Sequence, residues 1–203
     1  MKEAIISYLP SGIAWSALPA LDISEHVRPT ESDACAYAQI CYTDEALMLH
    51  LSATEQEIRQ EESGLLGMPC QDSCLEFFIR PLEEDIRYIN FEFSPRCCMY
   101  LGFGSGPEDL YRLTVDEEQR DALFAPVAQL RSDGWDLYFR IPYTFLQTFF
   151  PGFRAASGSA IRANFYKCGD LLEKPHYLAW NPIYRQGSCR FHTPAEFGRL
   201  VFE

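Results

Sequence analysis

Hydrophobic and polar positions alternate along most of this chain with a period close to two. From Ala160 to Tyr166, Ile161, Ala163 and Phe165 fall on one side, and Arg162, Asn164 and Tyr166 on the other. Successive strand side chains point to opposite faces, so this is the pattern of a strand with one face in a core. The same alternation predicts strands at Ala4 to Leu9, Cys74 to Arg80, Tyr88 to Ser94, Met99 to Phe103 and Phe197 to Phe202. Residues 33–53 read as a hairpin turning at Thr43-Asp44-Glu45. Val127 to Leu130 and Trp135 to Ile141 read as a second, around Ser132-Asp133-Gly134, because Asp-Gly is a strong hairpin turn signal. A short amphipathic helix is expected at Pro142 to Phe150, proline being tolerated at a helix start. Asp116 to Leu123 offers a weaker one, Asp22-Ile23-Ser24-Glu25 resembles a short helical turn, and Glu55 to Gly67 reads as loop or weak helix. Roughly ten short strands with closely spaced turns argue for an all-β fold, a two-sheet antiparallel β-sandwich, rather than alternating βαβ units.

Length adds that residues 1–203 are expected to make one domain, large enough to bury a full core without staples. A formal net charge of −12 argues against nucleic-acid phosphates or an anionic membrane surface as partner, since both call for basic patches. No window approaches the roughly 18 apolar residues of a membrane helix. The start, Met-Lys-Glu-Ala-Ile-Ile-Ser-Tyr, has no apolar run like that of a signal peptide, so a cytoplasmic location is expected. With no export signal visible, the eight cysteines read as reduced, structural thiols rather than a disulfide framework, with Cys97 and Cys98 the place to look for oxidation. The oligomeric state is left open.

Few motifs carry chemistry. Gly102-Phe103-Gly104-Ser105-Gly106 lacks the Lys-Ser/Thr of a phosphate loop and reads as a hairpin end. Cys70-x3-Cys74 is half of a zinc-ligand spacing without a second pair. Asp44, Glu45 and Asp72 are loop carboxylates that could supply oxygen ligands to structural calcium, with solvated acidic loops as the plainer account. No other cofactor is implied. Glu76 and Glu92 each point to the polar side of a strand whose other face is apolar. On neighbouring strands they could fall within the ~5–9.5 Å that glycoside hydrolysis asks of two carboxylates. An open sheet face would, however, leave both solvated, without the burial that raises an acid's pKa.

Several segments together resemble the family 9-like carbohydrate-binding modules. They are Asp72-Ser73-Cys74-Leu75-Glu76-Phe77-Phe78-Ile79, Asn90-Phe91-Glu92-Phe93, Asn164-Phe165-Tyr166-Lys167-Cys168-Gly169-Asp170, Trp180-Asn181-Pro182-Ile183 and Phe191-His192-x-Pro194-x-x-Phe197-Gly198. The resemblance runs from about residue 10 to the end and is most specific in the C-terminal half. It implies a DOMON-like β-sandwich that binds a mono- or oligosaccharide without catalysis, in carbohydrate catabolism. In xylanase-attached modules of that group two tryptophans sandwich a terminal sugar and calcium ions brace the loops. Carried onto this chain, one tryptophan falls on Trp180. The other falls near Pro69-Cys70-Gln71, where no aromatic stands. Glu76 matches the ligand-facing acid, and Arg162 and Asn164 match polar positions near the pocket. The expected ligand-binding set is therefore Trp180, Arg162, Asn164, Glu76, Asn90 and Tyr166, with Trp180 as an open platform and Asn164 on an outward face. A glycoside-processing enzyme using Glu76 and Glu92, and an interaction domain without a small ligand, remain as alternatives.

Overall fold

The computed structural model describes residues 1–184 and 190–203. Its strands, in chain order, are β1 (Glu3–Tyr8), β2 (Leu21–Ile23), β3 (Glu25–His26), β4 (Cys35–Tyr42), β5 (Ala46–Thr54), β6 (Cys74–Arg80) and β7 (Tyr88–Phe93). Then follow β8 (Met99–Gly104), β9 (Tyr111–Arg112), β10 (Val127–Leu130), β11 (Gly134–Pro142), β12 (Ala160–Gly169), β13 (His176–Ala179) and β14 (Gly198–Phe202). They form two layers. The front layer runs β14-β12-β6-β7-β8-β9, and the back layer β10-β11-β5-β4 with β2 on the free side of β4. β1 belongs to both: Glu3 to Ile6 pair in parallel with β14, and Ser7 and Tyr8 pair in parallel with β4. The expected sandwich is thus present, although these two parallel pairings make it mixed rather than wholly antiparallel.

Why the layers face each other follows from the alternation. Leu75, Phe77 and Ile79, then Ile89, Phe91 and Phe93, then Ile161, Ala163 and Phe165 point inward from the front layer. Leu47, Leu49 and Leu51 with Trp135, Leu137, Phe139 and Ile141 point inward from the back. The rings meet across the gap, Phe93 and Phe139 at 5.0 Å between centroids. Two helices close one end. α1 (Glu117–Phe124) begins at Asp116, whose side chain accepts from the Gln119 amide while the Gln119 side chain accepts from the Asp116 amide. This reciprocal capping box fixes the start of the helix. α2 (Tyr143–Phe149) follows β11 directly, and Phe145 and Phe124 pack edge to face at 5.0 Å. Gly134 is required for a reason other than turn geometry: a Cβ there would stand 1.9 Å from the Ala53 carbonyl oxygen of the adjacent strand.

One local expectation is overturned. Asp22 to Glu25 is extended, split between β2 and β3. A four-residue helical turn must fix several dihedrals for a single hydrogen bond, whereas Leu21 to Ile23 gain ladder partners on β4 and bury Ile23 in the core. Residues 55–67 form no regular element, and Trp15–Ala17 is a single 3-10 turn.

The end of β12 carries a buried polar group of four. The Trp135 indole Nε1 donates to Glu55 at 2.7 Å, the Lys167 ammonium lies 3.0 Å from the same carboxylate, and His176 Nε2 lies 3.8 Å from it. Burial, reinforced by the Lys167 charge, lowers the His176 pKa to about 4. The folded state therefore refuses a proton that the unfolded chain accepts below its ordinary pKa of roughly 6.5. This histidine's contribution is intact above that value and is lost as pH falls from there toward 4. His176→Gln is thus expected to gain about 2 kcal/mol on the wild type between about pH 7 and pH 5, read from denaturant melts at each pH. A constant difference between the two proteins would show that His176 is not held neutral.

Candidate functional site

The outer face of the front layer is a grid whose rows are fixed by strand register. One row reads Ala179, Tyr166, Glu76, Glu92, Tyr100 across β13, β12, β6, β7 and β8. Two residues along the strands, a second row reads Tyr177, Cys168, Cys74. Both Glu76 and Glu92 therefore stand side by side on the same face. Directly opposite residues in an antiparallel pair have Cβ atoms ~4.5–5.5 Å apart, which brings the two carboxyls together.

This face is not open. Val27, Leu110, Ile183, Phe191 and Phe197 fold over it and, with Phe78, Tyr88 and Tyr166, make a second, smaller apolar cluster. What they leave uncovered is a cavity of about 330 Å³ with Glu76, Glu92 and Cys168 at its floor. Tyr100, Leu110 and Met68 line one side, and Tyr177, Phe191 and Arg28 the other. Two cations brace the aromatic walls: Arg28 lies over the Tyr177 ring at 4.4 Å and Arg112 over Tyr100 at 4.7 Å. Such contacts are worth about 0.5–1 kcal/mol at exposed sites and hold the rings in place.

Burial dominates the electrostatics. Glu76 is 3 % and Glu92 5 % exposed, and desolvation pushes both carboxyls well up from the usual carboxylate range. The Glu76 charge also opposes ionisation of Glu92, and the Asp170 charge that of Glu76. The expectation that an open face would leave these acids solvated is therefore overturned, because loops distant in sequence cover it. Partners are sparse: the Cys168 thiol donates to Glu76 Oε1 at 3.0 Å, and Asn90 Nδ2 donates to Glu92 Oε1 at 2.8 Å. Among the described residues Glu76 Oε2 is buried with no hydrogen-bond partner.

Of the expected site residues, the structure places only Glu76 on the cavity wall. Asn90 stands behind it, holding Glu92. Tyr166 is fully buried, with Phe191 stacked on its ring at 4.1 Å, so it backs a wall rather than facing a ligand. Arg162 lies four residues along β12 from Tyr166, ~13 Å at strand rise, and its guanidinium pairs with Glu83 at 3.0 Å.

Asn164 and Trp180 correct the expectation most clearly. Neither is on an open face. β12 pairs with β14 as far as Ala163 and with β13 from Tyr166 onward. The side chain of Asn164 fills the gap: its Oδ1 accepts from the Asn181 amide at 2.8 Å and its Nδ2 donates to the Asn181 carbonyl at 3.0 Å. Trp180, one residue past β13, is 3 % exposed and meets Phe165 edge to face at 5.9 Å. A Cβ on Gly198 would come within 2.4 Å of its ring, so β14 needs glycine there to seat the indole. The open-platform geometry expected of Trp180 is therefore not what this chain builds.

The loop carboxylates do not converge either. Asp72 is fully buried and paired with Arg59, while Asp44 accepts from Tyr8 Oη at 2.6 Å in the β4–β5 turn. Seven cysteines carry free thiols, and Cys189 lies outside the described residues. Among the described residues, no helix is long and apolar enough to cross a membrane.

The sequence reading missed Tyr100, Tyr177, Phe191 and Arg28. Parity held a signal for two of them: Tyr100 alternates opposite Leu101, and Tyr177 opposite Leu178, so each ring had to leave the core.

A curled β-sandwich with a part-roofed, carboxylate-floored cavity on one outer face describes a ligand-binding module. Residues 27–202 match the model of carbohydrate-binding family 9, and the chain belongs to that family. Among solved structures it is similar to a Bacteroides uniformis ATCC 8492 protein assigned as carbohydrate-binding, with 26% identity and a TM-score of 0.82 over 100% of this chain and 99% of that one. It also shares the fold of a family 9 module from Caldicellulosiruptor kristjanssonii, at 13% identity. The cellotriose complex of that module has a TM-score of 0.68 and is 94% covered, the glucose complex 0.66 and 96%, each over 100% of this chain. No curated protein matches the sequence.

Proposed function

We propose that this module binds a mono- or short oligosaccharide in the cavity above Glu76 and Glu92, and does so without turning it over. The observation that carries the reading is the pairing of the buried, under-satisfied Glu76 carboxyl on the floor with braced aromatic rings on the walls. Sugar hydroxyls are donors along their edges and carry patches of C–H on their faces, and this cavity offers a counterpart to each. Its volume lies at the lower end for ligand sites, suited to a terminal sugar rather than the middle of a chain.

Magnitudes set the expected affinity. A pyranose face laid on one ring removes ~100 Å² of apolar area, worth about 2–3 kcal/mol. Each hydrogen bond to a carboxylate adds about 1.5–3 kcal/mol. Association costs at least ~4 kcal/mol. One ring and two such bonds leave binding near millimolar.

The side-by-side acids favour binding over hydrolysis. Glu76 and Glu92 rise from one face of one layer and meet a ligand from the same side, whereas hydrolysis sets its two carboxyls on either side of the scissile bond. A glycan array, followed by an activity screen on each hit, separates the readings. Binding without turnover is expected. Turnover of a bound glycan would make the pair catalytic, and silence across mono- and oligosaccharides would leave an interaction domain.

A further inference from the structure

Cys74 and Cys168 are directly opposed across β6 and β12, and Glu76 is two residues from Cys74 on the same face. Their two Sγ atoms and one carboxylate oxygen all lie within 4.8 Å of one another, and all three residues are buried. Cys168 and Glu76 line the cavity, and Cys74 stands directly beyond Cys168 in the grid. Cys74 thus finds a second thiol 94 residues later, on a strand that only the fold brings alongside, while Cys70 of the half-motif stays outside the cluster. A second, independent feature marks the spot. Among the described residues Glu76 Oε2 is buried with no hydrogen-bond partner, an arrangement that native interiors avoid unless something else satisfies the atom.

We propose that Cys74, Cys168 and Glu76 form a binding site for a thiophilic divalent cation, zinc, at the floor of the cavity. Two thiolates with one carboxylate select zinc over calcium or magnesium, which prefer all-oxygen shells. Tetrahedral zinc holds sulfur at about 2.3 Å and oxygen at about 2.0 Å, so its ligand atoms stand roughly 3.5–3.8 Å apart. The present cluster meets that with small side-chain adjustments. Three protein ligands leave the fourth position facing the cavity, open to water or a ligand hydroxyl. Binding replaces the two S–H protons, which leave to solvent, so the two thiolates formed balance the charge of the cation. The site stands apart from the sugar reading: it needs no sugar to form.

The test is a titration of the reduced, metal-free full chain with Co²⁺, a spectroscopic stand-in for zinc. One equivalent is expected to raise a sulfur-to-cobalt charge-transfer band with the visible bands of a tetrahedral site, and one equivalent of Zn²⁺ to bleach both. Cys168→Ser should weaken the binding at least about tenfold, while Cys35→Ser, at an exposed thiol remote from the cluster, should leave it unchanged. Glu76→Gln keeps both thiols and should retain the sulfur band at lower affinity, a check that does not depend on how Cys168→Ser folds. No sulfur band at one equivalent in the wild type, or a band unaltered in Cys168→Ser, would overturn the proposal. None of these readings involves sugar, so its failure leaves the carbohydrate reading standing, and the reverse.

Discussion

Trp180→Ala is expected to cost about 3–5 kcal/mol of stability, the range for emptying a large aromatic from a core. The indole is sealed between Phe165 and the bare backbone of Gly198, at the seam where β12 changes its edge partner from β14 to β13. On the Gly198 side no side chain is present to collapse into the void. Urea melts read the loss as a lower midpoint at unchanged slope. A variant that melts like the wild type yet fails to bind sugar would restore Trp180 as a platform. The same seam predicts that Asn164, whose side chain ties down both polar groups of the Asn181 backbone, is a stability residue and not a recognition residue.

Glu92→Gln is expected to do the opposite. The substitution keeps the shape of the side chain and its capacity to accept from Asn90, but removes a charge that burial and Glu76 both disfavour. At a pH where Glu92 is ionised, sugar affinity should fall by roughly 10- to 150-fold, the worth of one charge-assisted hydrogen bond at about 1.5–3 kcal/mol. Stability should hold or rise, since the charged form of a buried carboxyl is a cost that a neutral isostere relieves. Isothermal titration calorimetry and urea melts on the same samples provide both numbers. Unchanged affinity would remove Glu92 from the binding surface; a large loss of stability would make its role structural.

How far the sequence reached follows from which interactions are local. The period-two alternation located most of the long strands within a residue or two, with β12 running three residues past Tyr166, because each half-buried strand carries its own record of which side faces the core. The same parity put Glu76 and Glu92 on one polar face, and register then set them side by side. What parity cannot say is whether the face away from the core meets water. Here the outer face of the front layer is covered by Val27, Leu110, Phe191 and Phe197. Phe191 packs on Tyr166, and Phe197 on Phe78 and Tyr88, rings far from them along the chain. For that reason Arg162, Asn164 and Tyr166 read as a recognition face, while in the folded chain they are an ion pair with Glu83, a seam clasp and a wall support. Asp22 to Glu25 failed likewise: its polar start suggested a helical turn, and the edge of β4 supplied a ladder that the segment's own residues do not announce. The family resemblance carried the fold onto this chain, and the Glu76 it points to lines the cavity. Its tryptophan landed on a residue this chain spends on packing, while the rings facing the cavity are tyrosines on β8 and β13.

The central claim is that the sugar sits over the front layer, between Tyr100 and Tyr177 and above the paired acids. The most direct measurement is a crystal structure of the protein soaked with the best hit of the glycan array. The account predicts a sugar ring in contact with Tyr100 or Tyr177 and a hydroxyl within hydrogen-bond distance of Glu92, with Trp180 still sealed in its seam. A sugar stacked on Trp180, bound along the Arg162 end of β12, or seated on the back layer beside Trp15 and Tyr138 would contradict it.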